Sequence, residues 1–150
     1  MTRILFFLTI SLASLSAHAA TDQERAERAI ETRQGLLEVV AHYFGPIVGM
    51  ARGQIPYDAE LVQANAGKIA QLAPMITDVF TMDTRSSGLK SDSLDGIWDN
   101  YADFSDKADT ATMRALALSA AAQKDQGAAM KAFGALGSAC KNCHESYREK

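Results

Sequence analysis

The sequence predicts an all-α protein, an antiparallel bundle of four helices whose last helix carries a cofactor-attachment motif. Three observations predict it. Apolar residues recur in steps of three and four through four long segments, the signature of amphipathic helices that bury one stripe. No segment alternates apolar and polar residues as a strand would, and no internal repeat is present. The fourth segment ends in Cys140-Lys141-Asn142-Cys143-His144, which reads C-x-x-C-H.

Residues 1–19 read as a secretory signal. Arg3 supplies a positive start, Ile4 to Leu15 an apolar run too short to span a bilayer, and Ala17-His18-Ala19 a small-residue cleavage site, so the mature chain is expected to begin at Ala20. No later apolar run reaches membrane length, so no membrane span is expected. The domain to be explained is 20–150, long enough for one core. The whole chain has a formal net charge of −3. Removing 1–19 takes away one basic residue and no acidic one, which leaves the rest at −4 and argues against a nucleic-acid partner.

The first helix is expected over about 22 to 50. Thr21 and Glu24 have the spacing of a capping box, and Asp22 and Glu24 suit the positive end of the helix dipole. Its stripe is Ala26, Ala29/Ile30, Leu36/Leu37, Val40, Phe44 and Ile47/Val48, with Arg33 in phase. Gly45-Pro46 should bend or interrupt it. His42 lies off the stripe and reads as a surface histidine.

Gly53 and Pro56 mark a connection, and Asp58 is a good N-cap for a second helix over about 59 to 82, with Pro74 a defect within it. A polar loop around Ser86-Ser87-Gly88 follows. The third helix, from 92 or 93 to 123, opens with an aromatic cluster (Trp98, Tyr101, Phe104) and is expected to continue its stripe through Ala108, Met113, Leu116/Ala117 and Ala120. The fourth, about 128 to 148, carries Met130, Phe133, Leu136, Cys140, Cys143/His144 and Tyr147. The motif thus continues an apolar stripe and should face the core.

C-x-x-C-H is the attachment signature of a c-type haem. Two thiols form thioethers with the haem vinyls, and the adjacent imidazole takes an axial position on iron. On a helix, residues at i, i+3 and i+4 share one face. Both cysteines of the chain are in the motif. Competing readings fare worse. A structural zinc site needs four ligands; a thioredoxin-like C-x-x-C follows a strand; a disulfide from i to i+3 within a helix is strained. One covalent haem c is expected, with export to the periplasm, since haem attachment in bacteria takes place outside the cytoplasm.

Taken together, these residues resemble the cytochrome c′ family over essentially the whole mature chain. Phe133-Gly134 and Cys140 through Arg148 look like its closing motif, with an aromatic and a basic residue three and four places after the histidine. Arg33-Gln34 then Leu37, and Phe44-Gly45, look like its opening pattern. Gly53-Gln54, Pro56-Tyr57-Asp58-Ala59, Ile97-Trp98 and Phe104 also match. The resemblance implies thioethers at Cys140 and Cys143, His144 as proximal ligand and Arg148 beside the proximal face. It implies Leu37 over the sixth position and Arg33 near the propionates. Tyr147, Phe80 and Trp98 are counted as pocket aromatics, since a haem-sized core makes wall and core the same thing. Leu36 and Phe80 stand next as distal residues.

The sixth ligand decides the function. Low-spin relatives with this bundle take a methionine from the first helix, but Thr21 to Gly49 contains none, and Met50 lies about 20 Å beyond Leu37. Met75, Met82, Met113 and Met130 read as gap-filling core. The expectation is five-coordinate iron that binds nitric oxide and carbon monoxide and is redox active. The alternative is a six-coordinate, low-spin electron carrier working with periplasmic partners. No general acid or base accompanies Leu37, so the chain does not read as an enzyme. The resemblance also implies a homodimer through the first two helices, with Ile47, Val48 and Val62 as apolar flanks.

Overall fold

The computed structural model describes residues 20–150; the expected signal segment lies outside them. Six helices are present: α1 (Asp22–Ala51), α2 (Ala59–Leu72), α3 (Met75–Val79), α4 (Gly96–Asp99), α5 (Tyr101–Ala122) and α6 (Gln126–Tyr147). The long ones, α1, α2, α5 and α6, form the expected antiparallel bundle. Their starts follow from the sequence. The Thr21 hydroxyl accepts from the Glu24 amide at 3.2 Å while the Glu24 carboxylate accepts from the Thr21 amide at 2.7 Å. Asp58 caps α2 by accepting from the Leu61 amide at 3.0 Å, and Asp125 caps α6 by accepting from the Ala128 amide at 2.8 Å.

Four expectations are corrected. Helix α1 runs through Pro46 without interruption. The hydrogen bond the proline forfeits is to His42, an exposed residue whose carbonyl water can reach. The second segment breaks at Ala73-Pro74 into α2 and α3, and the third breaks at Asn100 (φ −136, ψ 56) into α4 and α5. The α5 stripe is also rotated from the expected one. Met113 and Leu116 are 61% and 57% exposed, and Ala115, Leu118 and Ala122 are buried instead. In so alanine-rich a helix two large outward residues outweigh the inner face in any pattern count, and the small inner residues let helices approach closely.

Side-chain contacts fix the topology. Asn65 donates to the Tyr43 carbonyl at 3.1 Å (α2 to α1), and Ser119 to the Gln63 carbonyl at 3.1 Å (α5 to α2). The packing runs α1 on α2, α2 on α5 and α5 on α6, and α1 and α6 share no comparable packed face. They meet at Phe44 and Phe133, ring centroids 5.1 Å apart. Below that pair the ring of helices is open. No helix of the described residues is long and apolar enough to cross a membrane.

Candidate haem site

The opening between α1 and α6 is where the motif points. Counting 1.5 Å per residue from the Phe44–Phe133 contact along antiparallel helices sets Cys140 at the height of Leu37 and His144 at the height of Arg33. The cleft there, about 390 Å³, is lined by Phe44 on one side and by Gly137, Cys140, Lys141, His144 and Arg148 on the other. A methyl group built on Gly137 would meet nothing within 4 Å. Leu37 is in phase with buried Ala26, Ile30 and Arg33, yet it is 37% exposed. Cys140 and His144 on the lining of this opening are the residues that would hold a haem there, and the charged Lys141 and Arg148 at its rim suit the propionate edge of such a group.

The two cysteines reach different parts of the core. Cys140 packs beside Val40, Phe44 and Phe133, against an aliphatic cluster that includes Ile47, Val62 and Leu136. Cys143 packs against Phe80, Ile97, Phe104 and Tyr147. Burial pushes both thiols above their ordinary range, so they are neutral, and they are unpaired with each other. Thioether formation uses both and leaves no buried thiol behind. His144 sits on the cleft side, and partial desolvation, then the Arg148 guanidinium, lower its affinity for a proton. Both effects favour the neutral imidazole that binds iron.

Each expected pocket residue can be placed. Arg33 is 2% exposed and has no carboxylate partner in hydrogen-bond contact. Its guanidinium donates to the Val79 carbonyl at 2.9 Å, to the Thr84 hydroxyl at 2.8 Å and to the Met82 carbonyl. Its carbon lies 4.8 Å from the Phe80 ring centre and 5.3 Å from that of Trp98, a double cation–π contact. Three of five N–H groups are thus spent tying the 79–84 segment to α1. Beyond the propionate role that the resemblance implies, Arg33 is a strut for the chain beyond α3. Phe80 and Trp98 form the wall behind Arg33, and the Trp98 indole donates to the Phe80 carbonyl at 3.0 Å. Arg148 lines the cleft.

Tyr147 points the other way, toward α5, where its hydroxyl donates to Asp103 Oδ2 at 2.5 Å. Asp103 in turn pairs with Lys107 at 3.3 Å. Sequence reasoning missed Asp103, Lys107 and Thr84. Nothing in their local pattern marks them, since each acts on a residue 44 or more positions away or is held by one that does.

A four-helix bundle with one open side, a C-x-x-C-H motif on that side and no other use for its thiols defines a c-type haem protein of the helical-bundle class. The comparisons agree. The model of the family described as Cytochrome C′ matches residues 28–148. The chain is 37% identical to cytochrome c-554 of Cereibacter sphaeroides, over 95% of this chain and 94% of that one. Among solved structures, cytochrome c prime from Shewanella frigidimarina is 32% identical with a TM-score of 0.75, covering 83% of this chain and 97% of that one. The nitric oxide complex of a mutant of cytochrome c prime from Alcaligenes xylosoxidans has a TM-score of 0.73 at 32% identity, with 83% and 97% covered. The chain belongs to the cytochrome c′ family, and haem c covalently attached is its cofactor.

Proposed function

We propose that this protein is a periplasmic haem c protein with five-coordinate iron that binds nitric oxide and carbon monoxide and cycles between ferric and ferrous states. Cys140 and Cys143 hold the haem, and His144 supplies the proximal ligand. The observation that carries the reading is the α1 side of the cleft. Counted along antiparallel helices Leu37 falls at the height of Cys140, and α1 offers no methionine before Met50, which is buried among Ile47, Val62 and their neighbours. Met75 and Met113 are exposed, and Met130 packs in the same far cluster. A leucine donates no hydrogen bond and crowds an incoming diatomic. Bound oxygen, which gains from a donor, is disfavoured, while NO bonds iron strongly enough to tolerate the crowding. One structural relative was solved as a nitric oxide complex, which supports the same reading.

One observation favours the six-coordinate alternative. Met82 is half-buried in the segment that Arg33 draws onto α1, at the height of His144. Absorption spectra of the ferrous protein with and without CO separate the two. The expected result is a high-spin ferrous spectrum that changes on adding CO. A resting low-spin, six-coordinate spectrum that Met82→Leu abolishes would establish the alternative. Leu37→Ala removes the isopropyl group and is expected to raise the CO on-rate and affinity about tenfold, which corresponds to about 1.4 kcal/mol. Unchanged CO binding would move the distal wall to Leu36 or Phe80.

The reading includes export by way of residues 1–19 and a homodimer. Ile47 and Val62, expected as dimer flanks, are fully buried in the monomer core. Exposed Val39, Ile55 and Leu61 on the α1–α2 side are the apolar surface that supports the dimer instead.

A further inference from the structure

The cleft explains how His144 meets iron; the far side of the same helical turn bears on how it leaves. Tyr147 is one turn beyond His144. Its ring is 7% exposed, edge-on to Phe104 with centroids 5.3 Å apart, and its hydroxyl reaches Asp103 Oδ2 at 2.5 Å. Lys107 pairs with Asp103 from the next turn of α5, at 3.3 Å. The chain then leaves the helix in extended conformation at Arg148 and is pinned again. The Leu94 amide donates to the Tyr147 carbonyl at 3.0 Å, and the Glu149 amide to the Asp92 carbonyl at 2.8 Å. The last turn of α6 is therefore fastened on its α5 side, while its His144 side faces the open cleft.

We propose that the Tyr147–Asp103 contact is a latch that sets how readily His144 leaves the iron when NO binds. This rests on the NO-binding reading above. With haem bound, NO would loosen the hold of the iron on His144; the imidazole would leave with the electron pair it brought, so no outside electron would be needed. The thioethers at Cys140 and Cys143 hold the haem in place, so it is the His144 end of the turn that must retreat. A turn fastened through a charge-assisted hydrogen bond resists that retreat. Tyr147 and Asp103 are positioning residues: they touch neither iron nor ligand, and they act through the backbone of 144–147.

The test mixes the ferrous holoprotein with NO and follows the change from a six-coordinate to a five-coordinate nitrosyl spectrum. Tyr147→Phe removes one oxygen and leaves the packing. It is expected to speed the conversion roughly tenfold, the worth of one charge-assisted hydrogen bond. Asp103→Ala should do the same, and Asp103→Glu should return part of the wild-type rate. Ile69→Val, a core change in the distant aliphatic cluster with a similar stability cost, should leave the rate within about twofold. If the wild type stops at the six-coordinate form, conversion in Tyr147→Phe still supports the latch. Equal rates in wild type and Tyr147→Phe would overturn it, since His144 would then depart by ring rotation alone. An equal acceleration by Ile69→Val would overturn it too, by tracing the effect to general loosening. If NO changes no spectrum at all, the functional reading fails and the latch falls with it.

Discussion

The two ends of the bundle are held together differently. At the end formed by the close of α1, α2, the close of α5 and the start of α6, the buried residues are Ile47, Met50, Val62, Ala66, Ile69, Ala70, Ala115, Leu118, Ala122, Ala129 and Leu136, none of them aromatic, with Tyr43, Phe44, Tyr57 and Phe133 only partly buried against them. At the other end they are Phe80, Ile97, Phe104 and Tyr147, with Trp98 and Tyr101 against them. The aliphatic end is helix packed on helix through alanines, with few directed contacts. The aromatic end has short or broken helices, and it is knitted by polar groups: Arg33 to three acceptors, Trp98 to the Phe80 carbonyl, Tyr101 to the Thr77 carbonyl at 2.5 Å, and Tyr147 to Asp103. The difference follows from the missing α1–α6 face. Where four helices close on one another, area burial alone specifies the packing. Where one side is open for a cofactor, directed hydrogen bonds hold the remaining walls apart at fixed spacing. Cys140 belongs to the first region and Cys143 to the second, so the haem joins them.

Removing that joint is the largest test of the contrast. In the double variant Cys140→Ser/Cys143→Ser, acid-acetone extraction should strip all haem from the polypeptide, whereas the wild type retains it. Hydrogen exchange should then quicken over 94–104 and 140–148, with 62–70 and 115–122 keeping their protection. Covalent haem surviving in the variant would refute the attachment. Uniform loss of protection would refute the independence of the two ends.

The next effect concerns the strut. Arg33→Met keeps the length of an apolar stem and deletes the guanidinium, leaving the Val79 and Met82 carbonyls and the Thr84 hydroxyl to find other partners. The expected loss is about 2–3 kcal/mol in denaturant unfolding, with faster proteolysis between Thr81 and Lys90. Arg33→Lys restores the charge but not the planar fork, and should recover only part of the stability. A variant as stable as the wild type would mean that the guanidinium's desolvation cancels its bonds. In the ferrous and ferric holoprotein the same pair of variants separates strut from charge, because only loss of the cation should shift the reduction potential.

Much of this was legible in the residues and some was not, for identifiable reasons. The helix starts at Thr21 and Asp58 are set by interactions three residues apart, so the sequence carries them entire. The motif is five residues long with Cys140, Cys143 and His144 on one helical face, and its chemistry is in the spacing. Leu37 and Arg33 were locatable through the family pattern, since both lie within one helix at fixed offsets from Phe44. The role of Arg33 was not legible, because its acceptors are backbone carbonyls 46 and 49 residues away that any residue type would present. The Tyr147–Asp103 pair depends on the register of α6 against α5, which an alanine-rich interface does not announce. Pro46 does not interrupt α1, because the bond it forfeits is to a carbonyl that faces water.

The smallest effect isolates one polar contact at the aromatic end by pH. Burial, and then the hydrogen bond to Asp103, push the Tyr147 hydroxyl up to about 12 from an ordinary value of 10. A group whose folded value is raised contributes stability that is whole below the unfolded value and is lost as pH rises through the folded one. The contribution of Tyr147 is therefore intact up to about pH 10 and declines between 10 and 12. Asp103 works in the opposite sense. The hydrogen bond from Tyr147, with help from Lys107, lowers its folded value, so its share is present above the ordinary 3.8 and is lost as pH falls through the lower one. Tyr57 and Tyr101 are also raised, so the wild-type curve alone cannot be assigned to one residue. The difference between wild type and Tyr147→Phe can. Unfolding free energies of the two holoproteins, measured by denaturant from pH 3 to 12, should differ by a constant amount from about 5 to 9. The gap should narrow below 4 as Asp103 takes a proton, and narrow again above 10 as the unfolded tyrosine loses one. A gap that stays flat across both edges would show that the hydroxyl is hydrated in solution and that Tyr147 holds α6 to α5 by its ring alone.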